Sequence, residues 1–137
     1  MSSKTGGEIE QDVFNIIKSS PIKDAITGGV YLPDTRPKNP TGVEDVVVKF
    51  LSGLDGQFQS GVVNINIYVP DIDNGGDVLV VDKGRCTELE IMLKNVLESL
   101  IPSNYLFSKD GTIQTFKAEG VDEHFVNARL KYKLKTF

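Results

Sequence analysis

The chain has 137 residues, 39% hydrophobic and 25% charged, with a net charge of −4 and a pI near 5.0. That is one ordinary domain with enough bulk for a real core. Its acidic balance argues against a free-standing nucleic-acid binder, which carries a basic footprint. The single cysteine, Cys86, excludes an internal disulfide. The polar start lacks the apolar run of a signal peptide, and no stretch nears the roughly 20 apolar residues of a membrane span. Synthesis in a cytoplasm is therefore expected.

Residues 1–8 read as a flexible tail and residues 9–137 as a single α+β domain. Ile9, Val13, Ile16 and Ile17 make one apolar stripe at helical spacing. Glu8, Glu10 and Asp12 fall in its first turn, where the helix dipole favours carboxylates, and Pro21 ends it. Residues 24–29 read as a turn and 30–32 as a short strand. Residues 33–42 hold Pro33, Pro37 and Pro40 and can form no regular element, so a long extended loop is expected.

Residues 44–54 and 57–69 read as strands joined by a hairpin turn at Asp55-Gly56. In the second, Val63, Ile65, Ile67 and Val69 alternate with Asn64, Asn66 and Tyr68, so one face is core and the other wet. A polar loop, 70–77, and a short extended run, 78–81, lead to a helix over 83–101. Its N-cap is Asp82, and its stripe is Cys86, Leu89, Leu93, Val96, Leu97 and Leu100, with Met92 alongside. Strands at 105–108 and 112–118 flank a turn at Asp110-Gly111. The last strand, 124–137, sets Val126, Ala128, Leu130, Tyr132 and Leu134 against Asn127, Arg129, Lys131, Lys133 and Lys135. The order α-β-β-β-α-β-β-β with hairpin-type links predicts a mainly antiparallel sheet with two helices packed on one face.

Reactive groups are sparse. His124 is the only histidine and reads as a solvated residue at a loop end, beside Asp122 and Glu123. Cys86 sits on an apolar stripe, where a thiol is core rather than nucleophile. One histidine and one cysteine are too few for a zinc site. A calcium loop over 71–82 would use Asp71 and Asp73, but Gly75 and Asp82 stand where that pattern wants an Asp or Asn and a Glu. The adjacent pairs Glu44-Asp45 and Asp122-Glu123 do not converge. No catalytic, cofactor-binding or metal residue is expected.

Arg129, Lys131, Lys133 and Lys135 rise above this background. A spacing of two puts them on one sheet face. They read either as a solvated face that guards a sheet edge or as a contact for a polyanion or an acidic partner. Another copy could supply the acid from Glu8, Glu10 and Asp12, or from Asp71 and Asp73 in the 71–77 loop. The loop with Pro37 and Pro40 reads either as a partner contact or as a mobile connection.

The order of elements, with Gly29-Val30-Tyr31-Leu32-Pro33, resembles the phage tail terminator and tail completion family, whose relatives include head–tail joining proteins. Asp45-Val46-Val47-Val48 loosely matches the family's Pro-x-Val-x-Val strand. Val63-Asn64-Ile65-Asn66-Ile67-Tyr68-Val69 matches its V-x-I-x-V-(W/Y)-(A/V) strand. Gly29 departs from the Arg the family often has there. The resemblance implies a non-enzymatic ring, often of six subunits, contacting tail-tube or portal and connector proteins. It also implies a lumen through which DNA passes without specific binding, and assembly into the virion after synthesis in the host cytoplasm. A cytoplasmic non-catalytic binding or accessory module is the alternative.

Overall fold

The computed structural model describes residues 3–37, 42–100 and 104–136. The first helix, α1 (Gly6–Lys18), begins three residues earlier than the apolar stripe predicts. Thr5 and Glu8 form a reciprocal capping box, which satisfies donors that the first helical turn leaves orphaned. Just ahead of it, the Lys4 amide donates to Gln59 Oε1 at 2.8 Å and Gln59 Nε2 donates to the Lys4 carbonyl at 2.7 Å. The expected tail is thus tied down from Lys4 onward. After Pro21 comes a one-turn helix, α2 (Ile22–Ala25), where a turn alone is predicted; it forms because Ile22 is fully buried.

A six-stranded sheet follows, made of β1 (Val30–Tyr31), β2 (Asp45–Leu54), β3 (Phe58–Pro70), β4 (Tyr105–Lys109), β5 (Gln114–Lys117) and β6 (Glu123–Lys135). The spatial order is β1-β2-β3-β6-β4, with β5 also paired to β6. The fold is α+β with a mixed, mostly antiparallel sheet, since β1 alone runs parallel to its neighbour. The long helix α3 (Lys83–Glu98) links β3 to β4, which lie parallel with β6 between them. Parallel strands need such a crossover.

The turn predicted at Asp110-Gly111 does not reverse the chain. β3 occupies one side of β6 along its whole length, and β4 and β5 follow each other along the other side, both antiparallel to it. They form one edge strand with a jog. Gly111 takes a left-handed φ of 87° there, and the Asp110 amide stays bonded to the Arg129 carbonyl at 2.8 Å. A 13-residue β6 is long enough to pair both pieces.

Alternation builds the core on one sheet face. Val46 and Val48, then Val63, Ile65, Ile67 and Val69, then Val126, Ala128, Leu130, Tyr132 and Leu134 are buried there. Ile9, Val13 and Ile17 of α1 and Cys86, Leu89 and Leu93 of α3 join the same cluster. Toward the β2–β3 turn the register shifts between Phe50 and Ser52. Gly61 stands opposite Gly53 there, and a Cβ on Gly61 would collide with the Ser52 carbonyl and the Tyr132 hydroxyl. Glycine is what lets the Tyr132 ring lie under the hairpin.

Candidate interaction surface

The sheet face away from the core carries β3 residues of even number and β6 residues of odd number, because side chains alternate along each strand. One end of this face is closed by Arg36, from the loop after β1. Its Nε donates to Asp45 Oδ2 at 2.9 Å, and its two terminal nitrogens grip Glu123 at 2.8 and 3.0 Å. The guanidinium lies 4.4 Å from the centre of the Tyr68 ring, a cation–π arrangement. Tyr68 packs on Phe125, and Phe125 on Phe116. Burial pulls the Arg36 pKa down, but its bonds to Glu123 and Asp45 outweigh that and hold it above its ordinary value. Three strands and the proline loop are pinned by one side chain. Pro37, next in the chain, is exposed; Pro40 lies outside the described residues.

Across the sheet, Glu44 points the opposite way from Asp45 and takes a second arginine. Arg85, in the first turn of α3, reaches Glu44 with two nitrogens at 2.7 and 2.8 Å. That bonding is the main reason the Arg85 pKa is raised. Glu44 and Asp45 thus part to opposite sides, as their alternation implies, but Asp45 and Glu123, one from each adjacent pair, meet on Arg36, which corrects the expectation that the pairs do not converge.

His124 corrects the expectation of a solvated loop end. It lies within β6, and its Nδ1 is 2.6 Å from Asp71 Oδ1. Lys117 approaches the other oxygen of Asp71 at 3.4 Å. The Asp71 side chain is only 3% exposed, so its carboxylate is withdrawn from a partner surface. A nucleophile–histidine pair needs a hydroxyl or thiol on the other side of the imidazole. Among the described residues no hydroxyl or thiol is hydrogen-bonded to His124. Cys86 is buried, and desolvation followed by the charge of Asp82 pushes its thiol pKa up, away from the reactive thiolate.

The middle of the face is amide. Asn127 Nδ2 donates to Asn66 Oδ1 at 2.7 Å and to Asn64 Oδ1 at 3.2 Å. Beyond it stand Arg129, Lys131, Lys133 and Lys135, on one face as their spacing predicts. Their strand is not an edge, because β6 is paired on both sides, so guarding an edge is not what they do. Arg129 meets Asp110 at 3.1 Å. Lys133 Nζ sits 5.6 Å from the Phe58 ring centre. Lys131 and Lys133 form no ion pair among the described residues. They border a depression of about 500 Å³ whose lining includes Val62 and Leu106, with Ser60 and Ser108 beside them. Leu106 is 66% exposed. A second depression of similar size lies between Pro21 and the outer side of α3, at Ile91, Met92 and Val96.

The predicted acidic patches fare unequally. On α1, Glu8 is spent in the capping box, Glu10 accepts the Phe50 amide at 2.8 Å, and Asp12 accepts from Lys4 and the Tyr105 hydroxyl. After β3, residues 72–79 form an exposed lobe closed by reciprocal Ile72–Val80 backbone bonds of 2.7 and 2.8 Å. Asp73 caps the Gly75 amide at 2.7 Å and Asp82 caps that of Arg85 at 3.2 Å. With Asp71 bonded to His124, the carboxylates of the calcium reading face separate partners. Among the described residues no group of three or more His, Cys, Asp or Glu could hold a metal.

Sequence reasoning missed Arg36 and Arg85, whose partners lie 9, 87 and 41 residues away, and missed Leu106. An arginine inside a proline loop is the one signal that marked Arg36. Among the described residues no helix is long and apolar enough to cross a membrane. No protein-family model matches the chain, and no curated protein is detectably similar to it in sequence.

Proposed function

We propose that this chain is a structural, non-catalytic virion component, a subunit of a phage tail terminator or head–tail connector ring. The observation that carries the reading is the distribution of charge. A chain of net charge −4 sets Arg129, Lys131, Lys133 and Lys135 on one sheet face, Lys131 and Lys133 without an ion pair among the described residues, while the carboxylates beside its lone histidine and its arginines are tied into structural pairs. Such a surface suits contact with protein neighbours better than chemistry. The order of elements and the Val30-Tyr31-Leu32-Pro33 and Val63-to-Val69 patterns support the family assignment. In the ring, subunits contact one another and tail-tube or portal proteins, and the acidic balance lets DNA pass through the lumen without sticking.

The neighbouring genes and the composition of purified virions test this. Portal, capsid and tail-tube genes alongside, with the chain found in virions by mass spectrometry, are the expected result. A metabolic operon and absence from particles would end the proposal. The alternative, a cytoplasmic binding module, draws on the depression of about 500 Å³ bordered by Lys131 and Lys133. It expects a monomer that binds a small anion there.

A further inference from the structure

The depression at Lys131 and Lys133 and the lobe at residues 72–79 have matching composition and opposite charge. The first combines exposed Leu106 and half-buried Val62 with two lysines that form no ion pair among the described residues. The second presents Ile72, Val78 and Leu79, all exposed, with Asp73 and Asp77. Large apolar side chains held outward on an ordered lobe point to a partner. The lobe is ordered by the Ile72–Val80 bridge and by the turns that Asp73 and Asn74 cap. It is therefore preorganised, which lowers the entropy lost on docking. The acids of α1 are already engaged internally, whereas Asp73 and Asp77 stand on the exposed lobe among its apolar side chains.

A single copy cannot make this contact with itself. The depression lies near Ser60 and the lobe follows Pro70, at opposite ends of β3. Ten residues of strand separate them by roughly 33 Å. We infer that the 72–79 lobe of one copy seats on the Lys131–Lys133 depression of the next, a head-to-tail contact between copies of this chain. Used head to tail, the contact leaves one lobe and one depression still to fill and propagates into a closed ring or an open filament, whereas a reciprocal pairing of the same two patches would close as a symmetric dimer. The inference rests on the ring reading above and names its contact.

Light scattering and sedimentation on the full chain, across concentrations up to about millimolar, provide the test. Two variants reverse the charge on each side, Lys131→Glu with Lys133→Glu, and Asp73→Lys with Asp77→Lys. Asp77→Lys alone serves as a control that keeps the Asp73 cap, and circular dichroism checks the fold of each. The wild-type chain is expected to self-associate, each double variant alone to associate at least about tenfold more weakly, and the equimolar mixture of the two to recover. In the mixture the basic lobe meets the acidic face, and the acidic lobe meets the basic face. Association that survives both reversals, or a mixture that does not recover, overturns this contact and leaves the ring. A wild-type chain that stays monomeric or stops at a symmetric dimer also overturns it, and virion composition still decides the ring reading separately.

Discussion

At one end of the open sheet face a single arginine holds two carboxylates and an aromatic ring; at the other, Lys131 and Lys133 border a partly apolar depression and form no ion pair among the described residues. Arg36 is 16% exposed and its partners Asp45 and Glu123 less than 10%, whereas Lys131 and Lys133 are exposed. The contrast separates two uses of positive charge. A planar guanidinium with fixed donors suits a buried bidentate pair, while a flexible, strongly hydrated ammonium keeps its solvent until something displaces it. Charge that is already paired holds the fold, and charge left unpaired is available to a neighbour.

The largest effect is expected from breaking the closed end. Arg36→Ala strands two buried carboxylates and should cost about 3–5 kcal/mol, read as a lower denaturant midpoint. Arg36→Lys should recover only part, because an ammonium cannot grip Glu123 with two parallel bonds. If Arg36→Ala costs less than about 1 kcal/mol, the two ends are not distinct.

Alkaline pH probes the buried hydroxyls and thiol of the core. Burial raises the pKa of Tyr105, with Asp12 adding to it, and raises that of Tyr132, from ordinary values of 10.0; Cys86 is raised from 9.0. All three stay protonated in the folded chain at pH values where the unfolded chain has ionised. The unfolded state then binds fewer protons, so stability falls as pH rises. The contribution is complete below about pH 9 and is lost at about 1.4 kcal/mol per group per pH unit above the ordinary value. Denaturation midpoints measured from pH 8 to 11 should show this decline.

The same two tyrosines should separate on mutation. Tyr105→Phe deletes a bond to Asp12 and should cost about 1 kcal/mol. The Tyr132 hydroxyl is buried with no hydrogen-bond partner among the described residues, so Tyr132→Phe should be neutral or stabilising by up to about 1 kcal/mol. A clear loss of stability in Tyr132→Phe would mean that its hydroxyl is bonded after all. Smallest of all, Lys131→Ala and Lys133→Ala should change stability by less than about 0.5 kcal/mol. A larger effect would make that end structural, as Arg36 makes the other.

Much of this architecture is legible along the chain. The period-2 runs at Val63–Val69 and Val126–Leu134 name the buried sheet face, because successive strand side chains point to opposite sides. The helix stripes at Ile9–Ile17 and Cys86–Leu97 name the faces that cover it. The basic stripe on β6 follows from the same alternation. Its meaning does not, since whether β6 is an edge or a central strand depends on which strands flank it.

Local pattern therefore determined which way each side chain faces, where helices and most strands lie, and that reactive groups are few. Tertiary structure alone decided the rest. It made Asp110-Gly111 a jog instead of a hairpin, gave Arg36 and Arg85 their carboxylates, gave His124 its aspartate, and set Asp73 and Asp77 on an exposed lobe. The reason is range: periodicity is a property of neighbours in the chain, whereas a buried charge takes whichever opposite charge the sheet brings beside it, however far away in sequence.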